Sequence, residues 1–205
     1  MNTRSGETFQ PLTLSMLQSG TGFSRPYFYS PDPVQIDSSA IEVMTDLRYV
    51  PAATAHTAMS VASASQKMIA RGVRLLLVVD EAADVIGLVT ARDVDRPRAD
   101  QALADGELQV ADIMTREVEV LALEAVVHAR VGDILQTLKH SGRQHALVVD
   151  REPFTDKPMI RGVFSASQIG RQLGVVSVTQ SDLSQTFAQI DAALLNRAAA
   201  NPKAS

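Results

Sequence analysis

The chain repeats itself at an offset of 70 residues, and this duplication limits what it can fold into more than any other feature. Met44 pairs with Met114, Thr45 with Thr115, Val61 with Val131, Gly72 with Gly142, and Leu77-Val78-Val79-Asp80 with Leu147-Val148-Val149-Asp150. After Asp150 the second copy carries an insertion, Pro153 to Pro158, and the offset becomes 75, which pairs Gly87 with Gly162 and Thr90 with Ser165. The copies part at one telling position, where the first has Asp93 and the second has Gln168. A fixed internal period of this kind means two like units sharing one architecture.

Each copy carries the same order of signals. A short Ala/Thr strand near Ala53 to Ala55 leads into a helix over Ser60 to Ala70, whose apolar face is Val61, Ala64, Met68 and Ile69. The second copy runs through Val131, Ile134, Leu135 and Leu138. Arg71-Gly72 and Ser141-Gly142 then end the helices as left-handed C-cap glycines do. Two apolar strands follow, Leu75 to Val79 and Val85 to Val89, joined by a polar hairpin loop; their continuous apolarity predicts cover on both faces. The insertion falls in the matching hairpin of the second copy. The expected fold class is therefore α/β, with two pseudo-symmetric β-α-β-β-α units packed through their sheets.

The ends stand outside the repeat. Glycines and prolines break up residues 1–36, which read as an irregular arm whose aromatic cluster, Phe23, Tyr27, Phe28 and Tyr29, packs on the body or on a partner chain. Asp37 or Ser38 caps a short helix over Ser39 to Thr45. Asp95 to Glu107 reads as a solvated connector, with an Arg92, Arg96 and Arg98 cluster that is either an anion site or a solvated charge mix. Leu183, Phe187, Ile190 and Leu194 form one stripe of an amphipathic helix from Ser181 to Ala200, which docks on the body or on another subunit. The expected divisions are arm and short helix at 1–42, units at 43–98 and 111–175, a connector at 99–110, and helix plus tail at 176–205.

Composition narrows the function classes. The 205 residues carry a net charge of -4, which argues against a basic nucleic-acid platform or an anionic-membrane binder. There is no cysteine, so disulfides, thiolate metal sites and cysteine nucleophiles are excluded together. The first ten residues lack the pattern of a secretory signal and no apolar run is long enough to span a bilayer, so the expectation is a cytoplasmic protein. His56, His128 and His140 share no ligand spacing with a carboxylate, and no metal is expected. Neither a Walker loop, a dinucleotide fingerprint nor a nucleophile-base set is present, so no enzyme is expected.

With Val43-Met44-Thr45 and Ile113-Met114-Thr115 before each unit, the repeated Leu-Val-Val-Asp strands and the Gly-apolar-apolar-Thr/Ser-x-x-Asp element, the chain resembles a tandem pair of cystathionine beta-synthase (CBS) domains of the stand-alone bacterial type. The resemblance covers Val43 to about Gly174. It implies a pseudo-symmetric disc with two inter-unit clefts that take adenosine-containing ligands such as AMP, ADP, ATP or S-adenosylmethionine. It further implies a regulatory module, a homodimer and a protein target.

By that resemblance each cleft pairs the strand-to-helix element of one unit with the strand entry of the other. One cleft then combines Thr90, Arg92 and Asp93 with Gly142, Arg143, Gln144 and His145; the other combines Ser165 and Gln168 with Gly72, Val73 and Arg74. A carboxylate at Asp93 can accept both ribose hydroxyls, and the guanidinium of Arg143 matches phosphate oxygens as a fork. A hydroxyl at Thr90, at a helix start, lies where phosphate is favoured. Asp93 and Thr90 also read as a plain helix cap, and His145 as a packed core histidine. Gln168 cannot accept two hydroxyls, because half of its amide is a donor. The expectation is one competent cleft, at Asp93. The alternative is a ligand-free dimerisation or interaction scaffold.

Overall fold

The computed structural model of the chain describes residues 34–96, 108–175 and 183–200. The readings of the aromatic arm, of most of the connector including Arg98, and of Ser181 and Asp182 fall outside the described residues. Everything described belongs to one compact unit, Pro33–Ser205.

A single 3-10 turn, Ala40–Val43, precedes strand β1 (Thr45–Asp46). Then come β2 (Thr54–His56), helix α1 (Val61–Arg71), β3 (Leu75–Val79), β4 (Val85–Thr90) and α2 (Ala91–Asp95). Helix α3 (Val110–Ile113) opens the second half. It is followed by β5 (Val120–Ala122), α4 (Leu123–Val126), α5 (Val131–His140), β6 (His145–Arg151), β7 (Pro158–Ser165) and α6 (Ala166–Gln172). Helix α7 (Leu183–Ala200) ends the described chain.

Local chemistry explains the boundaries. Ser60 Oγ accepts the Ser63 N–H and starts α1, which satisfies one of the free donors of the first turn. Gly72 and Gly142, each at φ 63°, end α1 and the turn after α5 in the left-handed region that glycine enters without a Cβ clash. The apolar face of α1 is narrower than the sequence predicts: Ala64 and Met68 are buried, but Ile69 is 78% exposed. One residue beyond Met68 turns about 100° around the helix, off the stripe that touches the sheet. The expected helix over Ser39 to Thr45 is also shorter, because Thr45 and Asp46 are drawn out as a strand.

Two sheets result, of order β2-β3-β4 and β1-β7-β6-β5. In each, the strand before the helix runs parallel to the strand after it, and the next hairpin partner runs antiparallel. All five residues of β3 are buried, as an apolar run covered on both faces should be. The start of β4 departs from that expectation, since Val85 and Ile86 are exposed where the hairpin leaves the body. Leu75, Leu77 and Leu88 of the first sheet share one buried cluster with Leu147 of the second, walled by Leu47, Val118, Ile160 and Val163. The sheets thus meet face to face, while α1 and α3 cover the far side of one and α5, α6 and α7 the far side of the other. The stripe of α7 docks on the body: Phe187 and Ile190 are buried there, and Lys139 Nζ reaches Asp191 at 2.6 Å.

Candidate functional site: two clefts across the unit boundary

The clefts exist because short segments of the chain cross over between the two halves. Strand β1 pairs with β7, Thr45 opposite Val163 and Asp46 opposite Gly162. In the other half Thr115 bridges Leu88, with Leu88 N–H donating to the Thr115 carbonyl at 3.0 Å and Thr115 N–H donating back at 2.8 Å. The repeated glycines make these crossings possible. A Cβ on Gly162 would meet Met44 Sδ at 2.5 Å, and one on Gly87 would meet the Thr115 carbonyl oxygen at 2.5 Å as well as the Met114 side chain. The two repeated signatures, Met-Thr and Gly, are therefore the two sides of one contact, made twice. Arg161 anchors the first crossing: its guanidinium pairs with Asp46, and its carbonyl accepts the Leu47 N–H at 3.0 Å. Burial pushes the Asp46 carboxyl up, but hydrogen bonds from the Arg48 N–H and from Arg161 and Arg48 outweigh it and hold it below the ordinary range.

At the crossing of Thr115 onto Leu88, a cavity of about 150 Å³ is lined by Thr90, Arg92, Asp93, Gly142, Arg143, Gln144 and His145, together with Leu88 and Thr115. All seven residues assigned to the Asp93 cleft from sequence thus surround one space. The capping chemistry is present too: Thr90 N–H and Thr90 Oγ1 both donate to Asp93 Oδ2, at 2.8 and 2.7 Å. The bonds that the Asp93 carboxylate accepts from Thr90 all fall on Oδ2, and among the described residues no hydrogen bond falls on Oδ1. Arg143 pairs with Glu119 at 3.1 Å. Arg143 and His145 also line an adjoining open groove of about 530 Å³, which Glu119 shares.

The other cleft is a cavity of about 240 Å³ that holds all five residues assigned to it, Gly72, Val73, Arg74, Ser165 and Gln168. Gln168 Oε1 accepts a hydrogen bond from Thr45 Oγ1 at 3.1 Å, and the Ser165 and Ser167 hydroxyls lie 3.0 Å apart. Leu47, Val50, Pro51 and Ala53 form an apolar wall. Arg71, Arg74 and Arg171 line the same space, and no carboxylate does among the described residues. Arg71 donates to the Pro51 carbonyl at 3.2 Å, whereas Arg74 and Arg171 have no carboxylate partner among the described residues. This is the larger of the two inter-unit cavities.

His145 lines both clefts. Burial holds its pKa down at about 4, with Arg74 pushing the same way and Asp93 opposing, so the imidazole is neutral near pH 7. Sequence reasoning passed over Thr45, Thr115, Glu119, Arg71 and Arg171. A signal for the two threonines was present in the duplicated Met-Thr pairs; Arg171 follows Gln168 by three positions, one helical turn on.

With this geometry in place, comparison with known proteins is informative. Residues 40–97 match the family model for the CBS domain. Comparison with curated proteins returns no match. Among solved structures, an uncharacterized conserved protein from Pyrococcus horikoshii is similar at TM-score 0.52 and 20% identity, over 73% of this chain and 100% of that one. A CBS-domain-containing protein from Agrobacterium tumefaciens is similar at TM-score 0.50 and 17% identity, over 63% of this chain and 93% of that one. A CBS domain pair solved with 5'-methylthioadenosine and S-adenosyl-L-methionine stands at TM-score 0.48 and 22% identity, over 68% of this chain and 98% of that one. Among the described residues no helix is long and apolar enough to cross a membrane. Residues 40–97 are thus similar to the CBS domain, and the described fold is like that of the CBS-domain-containing protein from Agrobacterium tumefaciens.

Proposed function

We propose that this chain is a regulatory, non-catalytic sensor whose two units, 43–98 and 111–175, bind an adenosine-containing nucleotide in the clefts between them and signal through a change in their packing. The observation that carries this reading is that each cleft draws its wall from both units. A ligand held there contacts both halves, so its binding energy differs between two arrangements of the units, which is what a switch needs. The chemistry supports an adenosine ligand: apolar walls suit a base, the Asp93 carboxylate, whose Oδ1 has no donor among the described residues, suits ribose hydroxyls, and Arg92, Arg143, Arg74 and Arg171 suit phosphates. As a stand-alone cytoplasmic homodimer it would pass the signal to a protein target.

Calorimetry on the full chain with AMP, ATP and S-adenosylmethionine tests the reading, with Asp93→Asn beside the wild type. We expect at least one ligand to bind and the variant to lose affinity for adenosine about tenfold, as a charged hydrogen bond of about 1.5 kcal/mol implies. Absence of heat with every ligand would leave the second reading, a dimerisation scaffold. That reading is favoured by the commitment of Asp93 Oδ2 to the cap of α2.

A further inference from the structure

The two halves of the molecule are joined unequally. Ala40, Val43 and Met44 pack in the core of the second unit, and Val110 and Ile113 in the core of the first. Among the described residues the chain therefore passes between the halves by two links, Leu47 to Ala53 and Arg116 to Glu119. Leu47 and Val118, one from each link, both wall the leucine cluster between the sheets, so any change in the packing of the units runs through them.

The first link is clamped at both ends. At its start Asp46 pairs with the Arg161 guanidinium, the two side chains only 18% and 10% exposed, and breaking such a pair strands a charge away from water. Leu47 N–H donates to the Arg161 carbonyl at 3.0 Å, and the N–H groups of Tyr49 and Val50 both donate to the Asp46 carbonyl at 3.1 Å. At its far end Arg71 donates to the Pro51 carbonyl at 3.2 Å, and Leu77 N–H to the Ala53 carbonyl at 2.9 Å. The second link lacks all of this. By the repeat offsets the counterparts of Asp46 and Arg161 are Arg116 and Ile86, which cannot form an ion pair. Arg116 turns back to donate to the Ala111 carbonyl at 3.2 Å, and Ile86 is 37% exposed. No backbone hydrogen bond falls on Arg116 to Glu119 among the described residues. Glu119 is tied to Arg143 by an exposed pair, of the kind that holds little.

Resting on the proposed change in packing, we propose that the two links divide its mechanics. Leu47 to Ala53 is the fixed pivot, clamped to both halves, and Arg116 to Glu119 is the slack strand that gives as the halves move. Asp46 and Arg161 are then positioning residues that set where the molecule bends.

Hydrogen exchange on the full wild-type chain, read amide by amide, tests the asymmetry. The Leu47, Tyr49 and Val50 amides should exchange at least about a hundredfold more slowly than those of Glu117 and Val118. The native chain has no cysteine, so spin labels at Ala62→Cys on α1 and Ala188→Cys on α7, both exposed, report the distance between the halves. That distance is measured with and without AMP, ATP and S-adenosylmethionine, whose binding is followed by calorimetry. The same is done after inserting two glycines between Glu117 and Val118, and in Asp46→Asn. We expect a bound ligand to shift the distance by about 2 Å or more, the glycines to leave that shift in place, and Asp46→Asn to broaden the ligand-free distribution. Comparable exchange in the two links, loss of the shift on lengthening the second, a wild-type distribution in Asp46→Asn, or binding with no shift would overturn the division and leave nucleotide binding standing. No heat with any of the three ligands would overturn the sensor reading and the division with it.

Discussion

His145 shows how much a single residue can carry here. Its imidazole lies against both clefts and is held at a pKa of about 4, against the ordinary value of 6.5, chiefly by burial. Between those values the unfolded chain takes up a proton that the folded chain refuses. Stability therefore rises with pH across this window, is complete above about pH 6.5, and is lost as pH falls toward 4. The loss is on the order of 2 kcal/mol. Urea midpoints of wild type and His145→Gln at about pH 7 and pH 5 check it: the wild type should lose more stability on acidification than the variant, and equal losses would show that another group governs the acid limb. The sequence supplied this residue, and every other assigned cleft residue, through the repeat offset and the family resemblance. It could not supply Glu119, because its place beside Arg143 depends on how the lead into β5 packs, whereas Arg171 was within reach, one helical turn beyond Gln168 on α6. Nor could it decide between cap and ligand for Asp93, since both uses need the same carboxylate at the same distance from a hydroxyl.

Among elements, the crossings of β1 onto β7 and of Thr115 onto β4 hold the two halves in register. Gly87 and Gly162 look equivalent in the repeat but face different neighbours. An alanine at 87 would press on a backbone carbonyl, whereas one at 162 would press on the flexible Met44 side chain. Gly87→Ala should cost about 3 kcal/mol and Gly162→Ala about 1 kcal/mol, the difference between a neighbour that cannot yield and one that can rotate away. Chemical denaturation of both variants measures this; equal costs would mean that the Thr115 segment shifts as easily as a methionine. The strands and helices themselves were legible, since their periods, caps and C-cap glycines are local signals. The crossing was not, because a two-residue strand such as Thr45–Asp46 has no period to read and pairs with residues more than a hundred positions away. Ile69 misled for a related reason: periodicity tells which residues share a face, and the width of that face is set by the sheet beneath it.

For the whole molecule, two sheets meet through a shared leucine cluster and leave a cleft on each side of it, so any ligand that spans a cleft also braces the contact between the units. A bound nucleotide should therefore stabilise the fold as well as change it. At a free concentration a hundred times its dissociation constant, a ligand specific to the folded chain adds about 2.7 kcal/mol, which for a chain of this size raises the melting temperature by roughly 5 °C or more. Thermal unfolding of the full chain in the presence of AMP, ADP, ATP, adenosine or S-adenosylmethionine tests the central claim most directly. The account predicts an upward shift of that size with at least one of them; an unchanged melting temperature with all five at millimolar concentration would contradict it.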